Sequence, residues 1–218
     1  MMALLEPAVR QVHVGTIGLP ALLGIPAAAT GLVVFAHGSG SGRLSPRNNH
    51  VAAGLRQRGL ATLLIDLLTT EEEADRVNVF DIPLLATRLT AAAEWAREMS
   101  ELASLPLGFF GASTGAGAAL LAAAAPGSRA RAIVSRGGRV DLAGAVALAK
   151  VRAPTLLVVG SLDRPVIDLS RVALRQMRCE SELAIVPGAS HLFEEGETLD
   201  VVIELAALWF NRYLNEEP

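Results

Sequence analysis

Phe109-Phe110-Gly111-Ala112-Ser113-Thr114-Gly115 follows an apolar run and opens a stretch rich in alanine and glycine. Its Gly-x-Ser-x-Gly spacing is that of a nucleophile elbow, a sharp strand-to-helix turn that strains the serine backbone and lifts its hydroxyl above a sheet. Such a turn needs small neighbours. Gly111 and Gly115 leave room for helix and strand to approach, and Ala116, Gly117, Ala118 and Ala119 continue a helix face of little bulk. The pattern predicts a strand over 105–110, Ser113 at the turn and a helix directly after it.

Outward from the elbow the chain alternates. Continuous apolar runs at 32–36 and 61–65 fit strands buried on both faces, and further strands are expected at 130–135, 155–159 and 182–186. Two opening strands, 9–14 and 16–25, flank Gly15 and are expected to form an antiparallel edge, with Pro20 fitting the second poorly. Ser45-Pro46 supplies a capping hydroxyl and a first-turn proline for a helix running to about Arg58 before Gly59. Thr70 and Glu73 have capping-box spacing, so the acidic run at 71–73 reads as a solvated helix start without a chemical role. Ile82, Leu85, Leu89, Ala92, Ala96 and Met99 mark one amphipathic helix; Leu199, Val202, Ile203, Ala206, Trp209, Phe210 and Tyr213 mark another, whose stripe is assigned to core packing. Strands alternating with helices give an α/β protein with a mostly parallel central sheet, helices on both faces, and functional groups at the carboxyl ends of the strands. Between 135 and 155 there is room for one small helix but no lid domain, so an open site is expected.

The 218 residues suit a single α/β domain over 1–218. Apolar residues make up 51% and aromatics only 4%, so the interior is built chiefly from Ala, Leu and Val, which excludes a disordered chain. A formal net charge of -3 provides no overall basic field for nucleic acid or anionic lipid, and leaves a small molecule as the expected partner. The lone Cys179 cannot form an internal disulfide, and nothing near it has zinc-ligand spacing, consistent with a reducing compartment. Residues 1–7 lack the basic segment and long apolar run of a signal peptide, and 102–127 is interrupted by Pro106, several glycines and a Ser-Thr pair. The expectation is a soluble, cytoplasmic protein with no membrane or nucleic-acid partner.

A serine hydroxyl is a poor nucleophile at neutral pH and needs a base within hydrogen-bond reach, held in turn by a third group. Val158-Val159-Gly160-Ser161-Leu162-Asp163 places an acid just past a strand end, and Val186-Pro187-Gly188-Ala189-Ser190-His191 places an imidazole past the next. Asp168 competes with Asp163, but falls inside the helix after Pro165, where its side chain would point away from a strand-end site. His13 and His50 have no partner acid in these motifs and read as structural. The loop His37-Gly38-Ser39-Gly40-Ser41-Gly42 lacks the Gly-Lys-Ser/Thr ending of a P-loop and the third glycine of a dinucleotide fingerprint.

On these residues the chain resembles the α/β-hydrolases, whose triad order is Ser, Asp, His, and within them is similar to the dienelactone hydrolase-like proteins. The resemblance covers nearly the whole chain and rests on the elbow, the turns at 160–163 and 188–191 and the His37-Gly38 loop taken together. It implies an α/β-hydrolase fold in which Ser113 attacks an acyl carbon, His191 shuttles the proton and Asp163 orients the imidazole. By the same pattern the backbone NH groups of Ser39 and Thr114 form the oxyanion hole, His37 braces its loop, and neither cofactor nor metal is required. Two departures matter. Dienelactone hydrolase proper uses a cysteine at the position of Ser113, so chlorinated dienelactones are not the default substrate. Its carboxylate-binding arginine after the catalytic histidine is missing, with Phe193-Glu194-Glu195 in its place. Arg136 could emerge beside the elbow and recognise an anionic substrate group, or could be a structural arginine bonding the neighbouring loops; of Arg43 and Arg47, which follow the oxyanion loop, Arg43 is a second substrate-binding candidate. The resulting expectation is a serine hydrolase of carboxylic esters, lactones or thioesters. Within enzymes a peptidase or acyltransferase is the alternative, and outside them a noncatalytic small-ligand sensor; monomer and homodimer both remain open.

Overall fold

The computed structural model describes residues 9–215; the amino-terminal segment read for a targeting signal lies outside them. Strands β1 (Val9–Val14), β2 (Leu19–Gly24), β3 (Gly31–Ala36), β4 (Leu60–Ile65), β5 (Leu107–Ala112), β6 (Ala130–Arg136), β7 (Thr155–Gly160) and β8 (Ser181–Val186) form one sheet in the order β1-β2-β4-β3-β5-β6-β7-β8. From β4 across to β8 the neighbours are parallel, and β2 is antiparallel to both β1 and β4. The helices are α1 (Pro46–Gln57), α2 (Thr70–Glu73), α3 (Arg76–Val79), α4 (Ile82–Glu98), α5 (Thr114–Ala123), α6 (Ala145–Leu148), α7 (Arg164–Leu174) and α8 (Thr198–Leu214). A 3-10 turn, Val140–Ala143, precedes α6, so the connection between β6 and β7 holds two short turns where one small helix was expected.

Every residue of β3, β4 and β7 is buried, because successive side chains point into different helical layers. On one face Val33, Phe35, Leu64, Phe110, Val134 and Val158 pack with Val51 and Leu55 of α1 and with Val202, Ala206 and Phe210 of α8. On the other, Val34, Leu63 and Phe109 pack with Leu85, Leu89 and Ala92 of α4 and with Ala118 of α5. The Phe35 and Phe110 rings lie 4.8 Å apart across adjacent strands. Helix α5 is apolar nearly all round because α4, the sheet and the 3-10 turn enclose it, which accounts for its small side chains. The stripe assigned to core packing on α8 lies against the sheet, as its spacing required.

Local differences from the sequence reading have local causes. The second strand starts at Leu19 and not at 16, because Gly15 and Gly18 both take positive φ and spend Thr16 and Ile17 on a turn closed by Gly18 N–H to Gly15 O at 3.2 Å. The elbow strand starts at Leu107, after Pro106, whose carbonyl accepts Leu32 N–H, and runs on to Ala112. The capping box is one residue earlier than read: the Thr69 hydroxyl accepts Glu72 N–H at 3.2 Å and the Glu72 carboxylate accepts Thr69 N–H at 2.9 Å. Thr69-Thr70 followed by three glutamates satisfies the spacing in either phase, and the chain leaving β4 selects the first. Helix α2 is solvated, as expected.

Phe210 is fully buried, its ring edge 2.7 Å from where a Cβ on Gly108 of β5 would stand. Phe210→Ala is expected to lower the unfolding free energy by about 3–5 kcal/mol, measured from the urea midpoint; a loss below about 1 kcal/mol would mean that the α8 layer relaxes to fill the gap.

Candidate active site

Ser113 joins β5 to α5 with φ 50° and ψ -122°, a region that residues with a Cβ rarely occupy. Three backbone hydrogen bonds hold it there. Ser113 N–H donates to Arg136 O at 3.3 Å, while Ser113 O accepts N–H from Ala116 at 3.1 Å and from Arg139 at 2.9 Å. The small neighbours are required: a Cβ on Gly115 would stand 2.1 Å from Ala36 O, and one on Gly111 would stand 2.5 Å from Ala116 Cα.

Asp163, at the N-cap of α7, does not cap that helix; its carboxylate faces His191, with Oδ2 2.6 Å from Nδ1. The Asp163 side chain is 11% exposed and that of His191 39%, so the acid is enclosed and the imidazole opens outward. With Nδ1 turned to the acid, Nε2 is left for other chemistry. The His191 ring packs beside Gly137, where an added Cβ would stand 3.5 Å from Nδ1, one residue from the Arg136 carbonyl that holds Ser113 N–H. In this conformation the Ser113 hydroxyl makes no hydrogen bond to His191. Asp168 lies inside α7, exposed and paired with Arg171 at 3.3 Å. His50 pairs with Asp200 across α1 and α8 at 2.6 Å, and His13 is exposed on β1, so neither joins this group.

Several groups that hold the His191 loop had no signature in the sequence. Glu195 accepts Ser190 N–H at 2.9 Å, and hydrogen bonding from Ser190, through its side chain first and its backbone second, holds the carboxyl below the usual carboxylate range. Glu194 pairs with Arg47 of α1 at 2.7 Å. Phe193, with φ 57°, turns back to bury its ring in the α1/α8 layer. Ser161 Oγ accepts Gly188 N–H at 2.8 Å and Leu162 N–H donates to Ala189 O at 3.0 Å, stitching the two loops together. These contacts join residues near one another in space but unrelated by a helical or strand repeat, so periodicity carries no trace of them.

Ser39 and Thr114 line one cleft with His37, Gly38, Leu68, Val79 and Leu85, of about 10 Å³, roughly the size of one water. Neither backbone N–H is taken up by a hydrogen bond among the described residues. Thr114 is the first residue of α5, where an intrahelical acceptor does not exist and the helix dipole favours negative charge. Leu67 N–H donates to His37 Nε2 at 3.0 Å, which assigns the proton to Nδ1 and makes it the donor to Gly38 O at 3.0 Å. His37 thus braces the loop.

The arginines differ from one another. Arg43 pairs through its guanidinium with Asp66 at the end of β4, and its backbone N–H donates to the same carboxylate at 2.5 Å; the structure gives it a loop-bracing partner. Arg136 does not emerge at the surface. It is 7% exposed, its guanidinium carbon stands 6.0 Å from the Phe110 ring centroid, and it makes no hydrogen bond or ion pair with another described residue. Burial, with the nearby charge of Arg47, pulls it down to about 10, still protonated at neutral pH. Among the described residues no group of three or more His, Cys, Asp or Glu side chains could hold a metal ion, and no helix is long and apolar enough to cross a membrane.

No protein-family model matches the chain. Two Mycobacterium tuberculosis proteins, each named a phosphoribosyl transferase, are 53% identical to it over 204 residues; that is 94% of this chain but 46% of theirs, so the chain spans about half the length of these curated relatives. A crystal structure of dienelactone hydrolase from Anabaena variabilis is 52% identical, covers 96% of this chain and 100% of its own, and superposes with a TM-score of 0.91. An α/β serine hydrolase without a lid, from Xanthomonas campestris, shares the fold at 22% identity and a TM-score of 0.75, over 100% of both chains. With an eight-stranded sheet turning at Ser113 and a full-length relative this similar, the chain belongs to the dienelactone hydrolase-like family of the α/β-hydrolases.

Proposed function

We propose that the protein is a lidless serine hydrolase of carboxylic esters or related acyl compounds, including lactones and thioesters, working through an acyl-enzyme. The observation that carries this reading is the strained Ser113 at the end of β5, one backbone segment from a His191 ring whose Nδ1 is held by an enclosed Asp163. In the reaction the Ser113 hydroxyl turns toward His191 Nε2, gives up its proton there and attacks the acyl carbon. Asp163 fixes the tautomer and stabilises the imidazolium. The backbone NH groups of Thr114 and Ser39 receive the oxyanion, being fixed before the charge develops. His191 then protonates the leaving alcohol or thiol, and a water activated by the same imidazole releases the acid. Leu44, Leu162 and Leu192, all exposed on strand-end loops, offer apolar surface to the substrate around the site.

The direct test is intact mass after exposure to a small fluorophosphonate. A single adduct on the natural protein, absent from Ser113→Ala, is expected; no adduct on a folded natural protein would sink the hydrolase reading and favour a noncatalytic ligand-binding role. Added amide substrates and acceptor alcohols separate hydrolysis of esters from peptidase and acyltransferase activity. Asp163→Asn should lower kcat by about 10⁴-fold while leaving the fold intact, because the imidazole is then held in the wrong tautomer. Glu195→Ala should lower kcat by about tenfold through a displaced His191 loop. Because the Glu195 carboxyl is held below its ordinary value, its contact persists above the usual carboxylate range and is lost only as pH falls through the lowered value. The ratio of natural to Glu195→Ala activity is therefore expected to stay constant between about pH 6 and 8, and a slope across that interval would refute the assigned contact.

A further inference from the structure

Arg136 is the last residue of β6, beside Ala112 of the elbow strand, and its side chain enters the layer between the sheet and α1/α8 with Phe110 and Val134. A guanidinium has five donors in a rigid fork, and burying one without partners sacrifices its hydration with nothing returned. Native chains satisfy such groups almost without exception. Here Nη1 is fully buried and unpaired, and the charge that acts on the guanidinium is another cation, Arg47. Two further unpaired atoms belong to the helix that carries Arg47. Arg47 Nε and Asn48 Oδ1, on the first turn of α1, are buried without partners, and Asn48 stands one turn before Val51 and Ala52 on the sheet-facing side of that helix. The acid next to Arg47, Glu194, is spent on Arg47 itself. A buried fork, a second cation, a polar amide and the positive end of α1 form one electropositive corner at the carboxyl edge of the sheet, adjoining the loop of His191.

We propose that this corner is a substrate subsite in which Arg136, assisted by Arg47 and Asn48, binds an oxyanion, a carboxylate or a phosphate, carried by the acyl compound cleaved at Ser113. The planar fork matches two oxygens of either group. The protein thereby keeps a cation that is costly in its empty state, and substrate charge supplies the missing partner. The inference rests on Ser113 being the nucleophile, and it goes further by assigning the substrate's charge and the residues that meet it.

The test compares kcat/KM for 4-nitrophenyl valerate, mono-4-nitrophenyl adipate and 4-nitrophenyl 4-phosphonobutyrate, with the natural protein, Arg136→Met and Arg136→Lys. The natural protein is expected to favour at least one anionic ester over the neutral one by tenfold or more. Arg136→Met should cut that preference by roughly 10- to 100-fold, the order of a charge-assisted bidentate contact, and Arg136→Lys should restore part of it. Which anionic ester is favoured identifies the oxyanion. The melting temperature of Arg136→Met should equal or exceed that of the natural protein, because an apolar side chain replaces an unpaired buried charge. An equal loss on all three esters with a lowered melting temperature would show a structural arginine, and an unchanged preference would show a spectator; either overturns the subsite. A natural protein labelled by the fluorophosphonate yet indifferent to substrate charge loses the subsite alone. One that is not labelled loses both readings.

Discussion

The positive φ of Ser113 is the constraint around which the rest of the structure is arranged. A backbone held in that region is costly, and persists only where its surroundings leave no alternative. Here the surroundings are a strand paired on both sides and a helix brought so close that Gly115 sits against the carbonyl of Ala36 on the neighbouring strand. That proximity explains why α5 is made of alanine and glycine, and why α4 can cover it without enlarging the layer. It also leaves the first amide of α5, that of Thr114, without a hydrogen-bond acceptor among the described residues. Packing, strain and candidate chemistry are thus consequences of one short distance between helix and sheet.

The parallel sheet does the remaining positioning. Because β3, β5, β6, β7 and β8 run the same way, their loops gather at one end, and the His37-Gly38 loop, the elbow, Asp163 and His191 meet there although they are spread over some two-thirds of the chain. Each loop is then fixed by contacts of its own: His37 to Leu67, Arg43 to Asp66, Ser161 to Gly188, Glu195 to Ser190. These are mostly side chain to backbone hydrogen bonds, which order a loop without a large apolar core. No lid is needed to hold the group together, and His191 remains partly open to solvent.

Arg136 runs against this pattern. The groups that fix these loops are paired, whereas this guanidinium is buried with Nη1 unpartnered and an aromatic face and a like charge for company. Functional sites are where proteins tolerate such local inconsistency, because a group already stripped of water binds an incoming charge strongly. Residues 193–195, which depart from the family pattern, supply Glu194 as the partner of Arg47 on α1.

The strand and helix alternation, the elbow at Ser113, the ordered pair Asp163 and His191 and the apolar stripe of α8 were all determined by the sequence itself. Each rests on a local rule, whether period, spacing or the steric demands of small residues, that acts between near neighbours in the chain. The phase of the cap at Thr69, the two-glycine turn that shortened β2, and the partners Asp66, Glu194 and Glu195 were decided only by the tertiary structure. So was the direction of Arg136: its place at the end of β6 was legible, but the alternation of the pleat sent its side chain into the α1/α8 layer, away from the surface. Register and side-chain pairing depend on which distant segments meet, and the linear pattern holds no rule for the pairing of residues 47 and 194.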